Sequence, residues 1–314
     1  MYAVIDIGSN TIRLVLYQME DGEPQQMLNS KRSVGLAGYV DREQRLSPKG
    51  IEKAVEALQG FRQILDSIQP RQTFAFATAS MRNVVNTQQV VQAIRKACGL
   101  EVRVITGKEE ALLDYAGAMR ALPTQSGLLV DIGGGSTELV RFRDGQAQGA
   151  CSLPMGSLNL YTRYVRDVVP TPQELKAISR HACALLQEAD FPLEESALLY
   201  GVGGTCRASC GLSDELFDEQ SGYAGYPCKR LKQMRRLLKQ DRRRLISAMI
   251  RTEPDRLHTL LPGLAILEAV ARRYGCVHFA ASPYGVREGY LLRMLAEQAG
   301  EEKQSERGEG AEHG

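Results

Sequence analysis

Apolar residues fall along this chain in short blocks whose internal spacing alternates between two periods. Residues 2–7, 12–19 and 73–77 are dense in aliphatic and aromatic side chains, the pattern of strands covered on both faces. Residues 47–68 and 87–98 instead place apolar side chains three and four positions apart, which predicts amphipathic helices. Further strands are predicted at 102–105, 127–131, 138–142 and 198–202, and further helices at 108–121, 172–188 and 262–274. Strand and helix alternate almost throughout, so the chain reads as α/β, with mixed sheets flanked by helices.

Inside this rhythm a short motif occurs twice. Asp6-Ile7-Gly8 returns as Asp131-Ile132-Gly133, and Leu14-Val15 returns at the same offset as Leu139-Val140. Each copy is a strand ending in Asp, a Gly-rich turn and a second strand: a β-hairpin with a carboxylate and backbone amides at its tip. Two homologous halves follow, 1–121 and 122–285, with residues 122–127 as the hinge between them. A helix over 286–298 is expected to pack back on the first half. Residues 300–314, whose one apolar side chain is Ala311, are expected to form a tail without fixed structure.

A length of 314 residues suffices for two such halves, and a net charge of +2 means that any polyanion site must come from local clustering of basic residues. No stretch of ~18 apolar residues is present, and Met1 to Asn10 has neither a basic segment nor an apolar one of leader type, so a cytoplasmic protein without membrane association is expected. Seven cysteines without a Cys-x-x-Cys pair fit reduced thiols in a cytosol. Cys206 and Cys210 stand four apart, but no partner follows at zinc-site spacing, and the four histidines sit in no nucleophile motif.

Chemistry concentrates in the Gly-rich turns. The first, Asp6 to Arg13, combines Gly8 with Ser9, Asn10 and Thr11 as hydrogen-bond donors and Arg13 as a counter-charge, a tip suited to phosphate. The second carries Gly133, Gly134, Gly135 and Ser136 between two carboxylates, Asp131 and Glu138. Those carboxylates would repel phosphate unless a cation lay between, which points to Mg²⁺. A third run, Gly203-Gly204-Thr205, follows an apolar strand and opens a helix, so it reads either as an anion-binding helix N-terminus or as a close-packed turn.

Taken together, in this order and spacing, the three motifs resemble the actin/hexokinase/Hsp70-like superfamily and, more closely, the exopolyphosphatase/guanosine pentaphosphatase family, over nearly the whole chain to about Arg293. Supporting segments are Ala77 to Arg82, Thr106-Gly-Lys-Glu-Glu-Ala111, Leu261 to Leu267 and Tyr284 to Gly289. The resemblance implies two ribonuclease H-like (actin-like ATPase) domains with mixed five-stranded sheets and an active site in the cleft between them. It implies Glu110 as the catalytic base, Mg²⁺ (or Mn²⁺) held by Asp131 and Glu138 with Asp6 joining through water, and phosphate clasped by the residue 9–11 and 133–136 loops and by Arg82. Arg207 and Arg287 are weaker candidates of the same kind. The implied substrates are inorganic polyphosphate and guanosine penta- or tetraphosphate.

Two departures bear on substrate. Leu112 stands where family members usually carry Arg, and the additional C-terminal helical domain of long exopolyphosphatases is missing. A compensating feature is the run from Lys229 to Arg244, in which nine Lys or Arg residues face one Asp; it reads as a polyanion site or as an amphipathic helix with a solvated basic face. It lacks the interleaved aromatics of a nucleic-acid surface. A small-molecule kinase on the same fold and a non-catalytic polyphosphate or guanosine tetraphosphate sensor are the alternatives, and a homodimer is the prior for oligomeric state.

Overall fold

The computed structural model describes residues 1–122 and 124–311, with side chains through residue 300. The first half runs β1 (Tyr2–Ile7), β2 (Thr11–Glu20), β3 (Glu23–Ser33), α1 (Pro48–Ile68), β4 (Gln72–Ala77), α2 (Ala79–Arg82), α3 (Thr87–Cys98), β5 (Val102–Val104) and α4 (Gly107–Ala118). The second runs β6 (Gly127–Ile132), β7 (Thr137–Arg143), β8 (Gln146–Leu153), α5 (Ser157–Tyr164), α6 (Pro172–Glu188), β9 (Leu198–Val202), α7 (Gly203–Phe217), β10 (Tyr226–Pro227), α8 (Lys229–Gln240), α9 (Arg242–Thr252), α10 (Leu260–Arg273) and β11 (His278–Ala281). Helix α11 (Val286–Ala311) closes the chain.

The sheets share one plan. Strand order is β3-β2-β1-β4-β5 in the first and β10-β11-β9-β6-β7-β8 in the second. In each, the hairpin strand and its neighbour run antiparallel, and the strands after the crossover helices run parallel. The second sheet has six strands rather than five, because Tyr226–Pro227 adds a two-residue antiparallel edge to β11, too short to show any periodicity. The polar edge strands β3 and β8 bury few side chains, so they carry no apolar pattern either.

Helix α4 joins the halves. Its Leu113 packs with Val4, Val15 and Phe76 of the first sheet and with Tyr290 and Leu291 of α11. Its Ala111 and Ala118 pack on Leu129, Val140 and Tyr200 of the second. Helices α4 and α11 cross closely: a Cβ on Gly117 would meet the carbonyl oxygen of Gly285, and one on Gly289 would meet that of Leu113. The buried Tyr17 hydroxyl donates to Glu288, tying α11 to β2. Helix α11 runs on to Ala311, over residues where a tail without fixed structure was expected. Residues 312–314 lie outside the described residues, as does Pro123 of the expected hinge.

Candidate active site

Both hairpin tips, the start of α4 and the start of α7 face one cavity of about 140 Å³. The hairpins have the same register but different charge. Asp6 pairs across the ladder with Arg13, whereas the matching Asp131 pairs with Glu138. In each tip the glycine amide closes the turn, Gly8 N–H to Thr11 O and Gly133 N–H to Ser136 O, both at 3.0 Å. Those two amides are therefore spent, and the tip donors left without a backbone acceptor among the described residues are Ser9, Asn10, Gly134, Gly135 and Ser136. The carbonyls of Gly133 and Gly134 accept from the first amides of α5, which fixes the second loop.

The start of α7 is a third donor set. Val202 precedes it with no side-chain cap, leaving the amides of Gly203, Gly204 and Thr205 directed at the cavity with the positive end of the helix dipole. Gly203 has φ +78°, and a side chain there would collide with the Asp131 carboxylate. The Thr205 hydroxyl donates to Ile132 O at 3.0 Å, so it ties α7 to β6 rather than reaching outward.

Glu110 enters from the first turn of α4. The capping box there uses its neighbour: the Thr106 hydroxyl accepts from Glu109 N–H, and the Glu109 carboxylate accepts from Thr106 N–H at 2.8 Å. Glu109 thus stays at the rim, its carboxyl held below the usual range by that bond, while Glu110 turns inward and is 6% exposed. Burial pushes Glu110 up to about 7, against the pull of Arg82 and with Asp131 and Asp6 adding to the push. Arg82, expected to touch phosphate, donates to Glu110 at 2.7 Å and to Ile105 O at 3.2 Å, and its other arm is 3.8 Å from Glu138. It lines a neighbouring hollow with Lys108 and Ser152 instead of the main cavity. A guanidinium between two buried carboxylates is drawn to them first.

Two residues that carry the site are silent in the sequence motifs. Asp114, one turn beyond Glu110 on α4, is 1% exposed and lines the cavity, and its Oδ2 has no hydrogen-bond partner among the described residues. Its i,i+4 spacing from Glu110 was the available signal. Arg256, in a short 3₁₀ turn with no motif, lies over Gly204 and joins Arg13, Arg207 and Arg287 around the cavity. Burial and the other arginines bring Arg13 down to about 10. Arg287 lies 4.0 Å from Asp6, and its buried Nη1 has no acceptor among the described residues, which leaves it a donor for an anion.

The carboxylates are strained in the opposite sense. Burial pushes Asp131 up to about 6 despite Arg207 and Arg287, and it raises Asp6, Asp114 and Glu138 as well. Glu138 is fully buried, accepts from the Ser152 hydroxyl at 2.7 Å through Oε1, and has no hydrogen-bond partner on Oε2 among the described residues. Orphaned, hard carboxylate oxygens of this kind suit a divalent cation such as Mg²⁺. Among the described residues no three His, Cys, Asp or Glu side chains alone enclose a metal, so oxygens from water and phosphate would have to complete its shell. Cys206 and Cys210 are buried in the second core. No helix among the described residues is long and apolar enough to cross a membrane.

This arrangement has relatives. Exopolyphosphatase 1 of Mycobacterium bovis is 27% identical over 313 residues, covering 94% of this chain and 88% of the relative, and Exopolyphosphatase 1 of Mycobacterium tuberculosis gives the same figures. Among solved structures, an exopolyphosphatase from Cytophaga hutchinsonii superposes with a TM-score of 0.80 at 23% identity, covering 94% of this chain and 97% of that one. A Ppx/GppA protein from Aquifex aeolicus gives 0.75 at 24% identity, covering 95% and 98%. Their fold is the two-domain actin-like fold seen here, in which duplicated hairpins face one cleft. The sequence pattern of the Ppx/GppA phosphatase family matches residues 15–298, and the chain belongs to that family.

Proposed function

We propose that this phosphatase hydrolyses the terminal phosphoanhydride bond of inorganic polyphosphate and releases orthophosphate, with Glu110 as the base. One observation carries the reading: the buried Glu110 carboxylate, pushed up to about 7, stands on the wall of a cavity that also holds free amides, four arginines and the carboxylates of Asp6, Asp114 and Asp131. The names of the mycobacterial relatives support the substrate class. Among the described residues no aromatic side chain lines the cavity, so none is placed to stack on a guanine base, which favours polyphosphate over guanosine pentaphosphate.

The terminal phosphate is held by the amides of residues 9–10, 134–135 and 203–205 and by Arg287 and Arg256, which also take up charge on the equatorial oxygens as the reaction proceeds. Glu110 accepts a proton from water as its oxygen bonds to phosphorus. The bridging P–O bond breaks, and the shortened chain leaves with the electron pair. Arg82 orients Glu110 and keeps part of its population ionised near neutrality. Asp131 and Glu138, with Asp6 and Asp114 near, would hold Mg²⁺ or Mn²⁺, which neutralises phosphate charge when bound.

Phosphate release from tripolyphosphate, long polyphosphate, guanosine pentaphosphate and ATP, with and without Mg²⁺, tests this. Metal-dependent release from polyphosphate is expected. Tight binding without release would favour a sensor, and acceptor-dependent use of ATP a kinase.

A further inference from the structure

A second basic concavity lies outside the cleft and shares no lining residue with it. Helices α6, α8 and α10 border a groove of about 850 Å³. Leu231, Met234 and Leu238 of α8 turn into the core, as an amphipathic helix requires, and bring the basic side of the helix to the groove. Six cations line it: Lys176 and Arg180 from α6, Arg235, Arg236 and Lys239 from α8, and Arg272 from α10.

One carboxylate opposes them. Glu268, 7% exposed on α10, is gripped by Arg235 through two bonds of 2.6 and 3.2 Å, so that pair is neutral. The other five cations form no ion pair among the described residues and are exposed, in a chain whose net charge is only +2. Between them the lining includes the small side chains of Ser179, Ala184, Ala265 and Ala269 beside Leu175 and Leu238. Among the described residues no aromatic side chain lines the groove, so none is placed for bases to stack on.

We infer that this groove is a second binding site for linear polyphosphate, an unbranched anion with charge at every unit and no base to accommodate. The inference rests on polyphosphate being the substrate. Holding an inner stretch of a long chain there would raise the effective concentration of its end and favour long chains over short ones, an advantage a tripolyphosphate cannot share.

The test uses the full chain with three exposed groove residues reversed, Arg180→Glu, Arg236→Glu and Lys239→Glu, none of which touches the cleft. Binding of long polyphosphate is measured by titration calorimetry in the Glu110→Gln background, where turnover does not interfere, and steady-state kinetics are measured with Glu110 intact. The expected results are an affinity loss of about tenfold or more, a salt dependence shallower by roughly one unit of slope per lost contact, a raised KM for long chains and unchanged kcat and KM for tripolyphosphate. Unchanged binding of long polyphosphate would overturn the inference even if phosphate release stands. Single-stranded DNA competing for the groove as strongly as polyphosphate of equal charge would also overturn it. Lost binding in the triple variant, with no phosphate release from any chain, would keep the groove and remove the phosphohydrolase reading instead.

Discussion

Glu109 and Glu110 are chemically the same and adjacent, yet a helix N-terminus gives them opposite work. Position N3 of the capping box must reach back to Thr106, which takes Glu109 to the rim; the next residue rotates inward and is desolvated. Motif resemblance implied Glu110 as the base, and its burial on the cavity wall is the ground on which we propose it for that role. Arg82 shows where such reading stops, since a motif states that an arginine is near but not whether a carboxylate claims it first. Because Arg82 pulls the Glu110 pKa down, Arg82→Ala should move the acidic limb of the pH–rate profile upward, with activity lost at pH 7 and partly recovered at pH 8–9. A uniform loss at every pH would make Arg82 a phosphate contact instead. Asp114 and Arg256 escaped the motifs because one sits a helical turn beyond its signature and the other in an irregular turn. Asp114 is held well above the usual carboxylate range, so Asn mimics its protonated form. Asp114→Asn should therefore melt higher than the parent protein at pH 8 and close to it at pH 5; a lower melting temperature at both would contradict this.

At the scale of elements, most of those with an apolar face were legible, although the short helices α5 and α9, which bury Leu158 and Leu160 and Leu245, Ala248 and Met249, were not predicted. The hairpin β1–β2, the helices α1, α3 and α6 and the strands β6, β7 and β9 fall within a residue or two of their predicted bounds, because each buries a continuous face. Strands β3 and β8 are sheet edges with mostly solvated side chains, and β10 and β11 are too short to alternate. Helix α4 was legible as a helix, but its burial between both sheets was not, since its apolar residues are spread around the axis. That sandwiching holds Glu110 and Asp114 in place. Gly117→Ala would drive a methyl into the Gly285 carbonyl where α4 crosses α11. The expected cost is about 1–3 kcal/mol, a fall in melting temperature of several degrees. A variant as stable as the parent would mean that the two helices can part without loss.

In the whole molecule helix α4 packs on both sheets, and the carboxylates of both halves meet around the cleft. Five carboxylates around the cleft have raised pKa values in the folded chain, with Glu110 near 7 and Asp131 near 6. The folded state therefore binds more protons than the unfolded one between the ordinary carboxylate range and about pH 7, so stability falls as pH rises through that window. Carboxyls held below the usual range, such as Glu109 and Glu174, act only at lower pH. The metal-free protein should melt higher at pH 5.5 than at pH 8, and Mg²⁺ should raise the melting temperature more at pH 8; a metal-free melting temperature that rises from pH 6 to 8 would contradict this. The central claim is that Glu110 takes the proton from the attacking water. Steady-state phosphate release from polyphosphate with Mg²⁺ should fall by ~10² or more in Glu110→Gln while polyphosphate affinity holds. Turnover within a few-fold of the parent protein would show that the proton goes elsewhere.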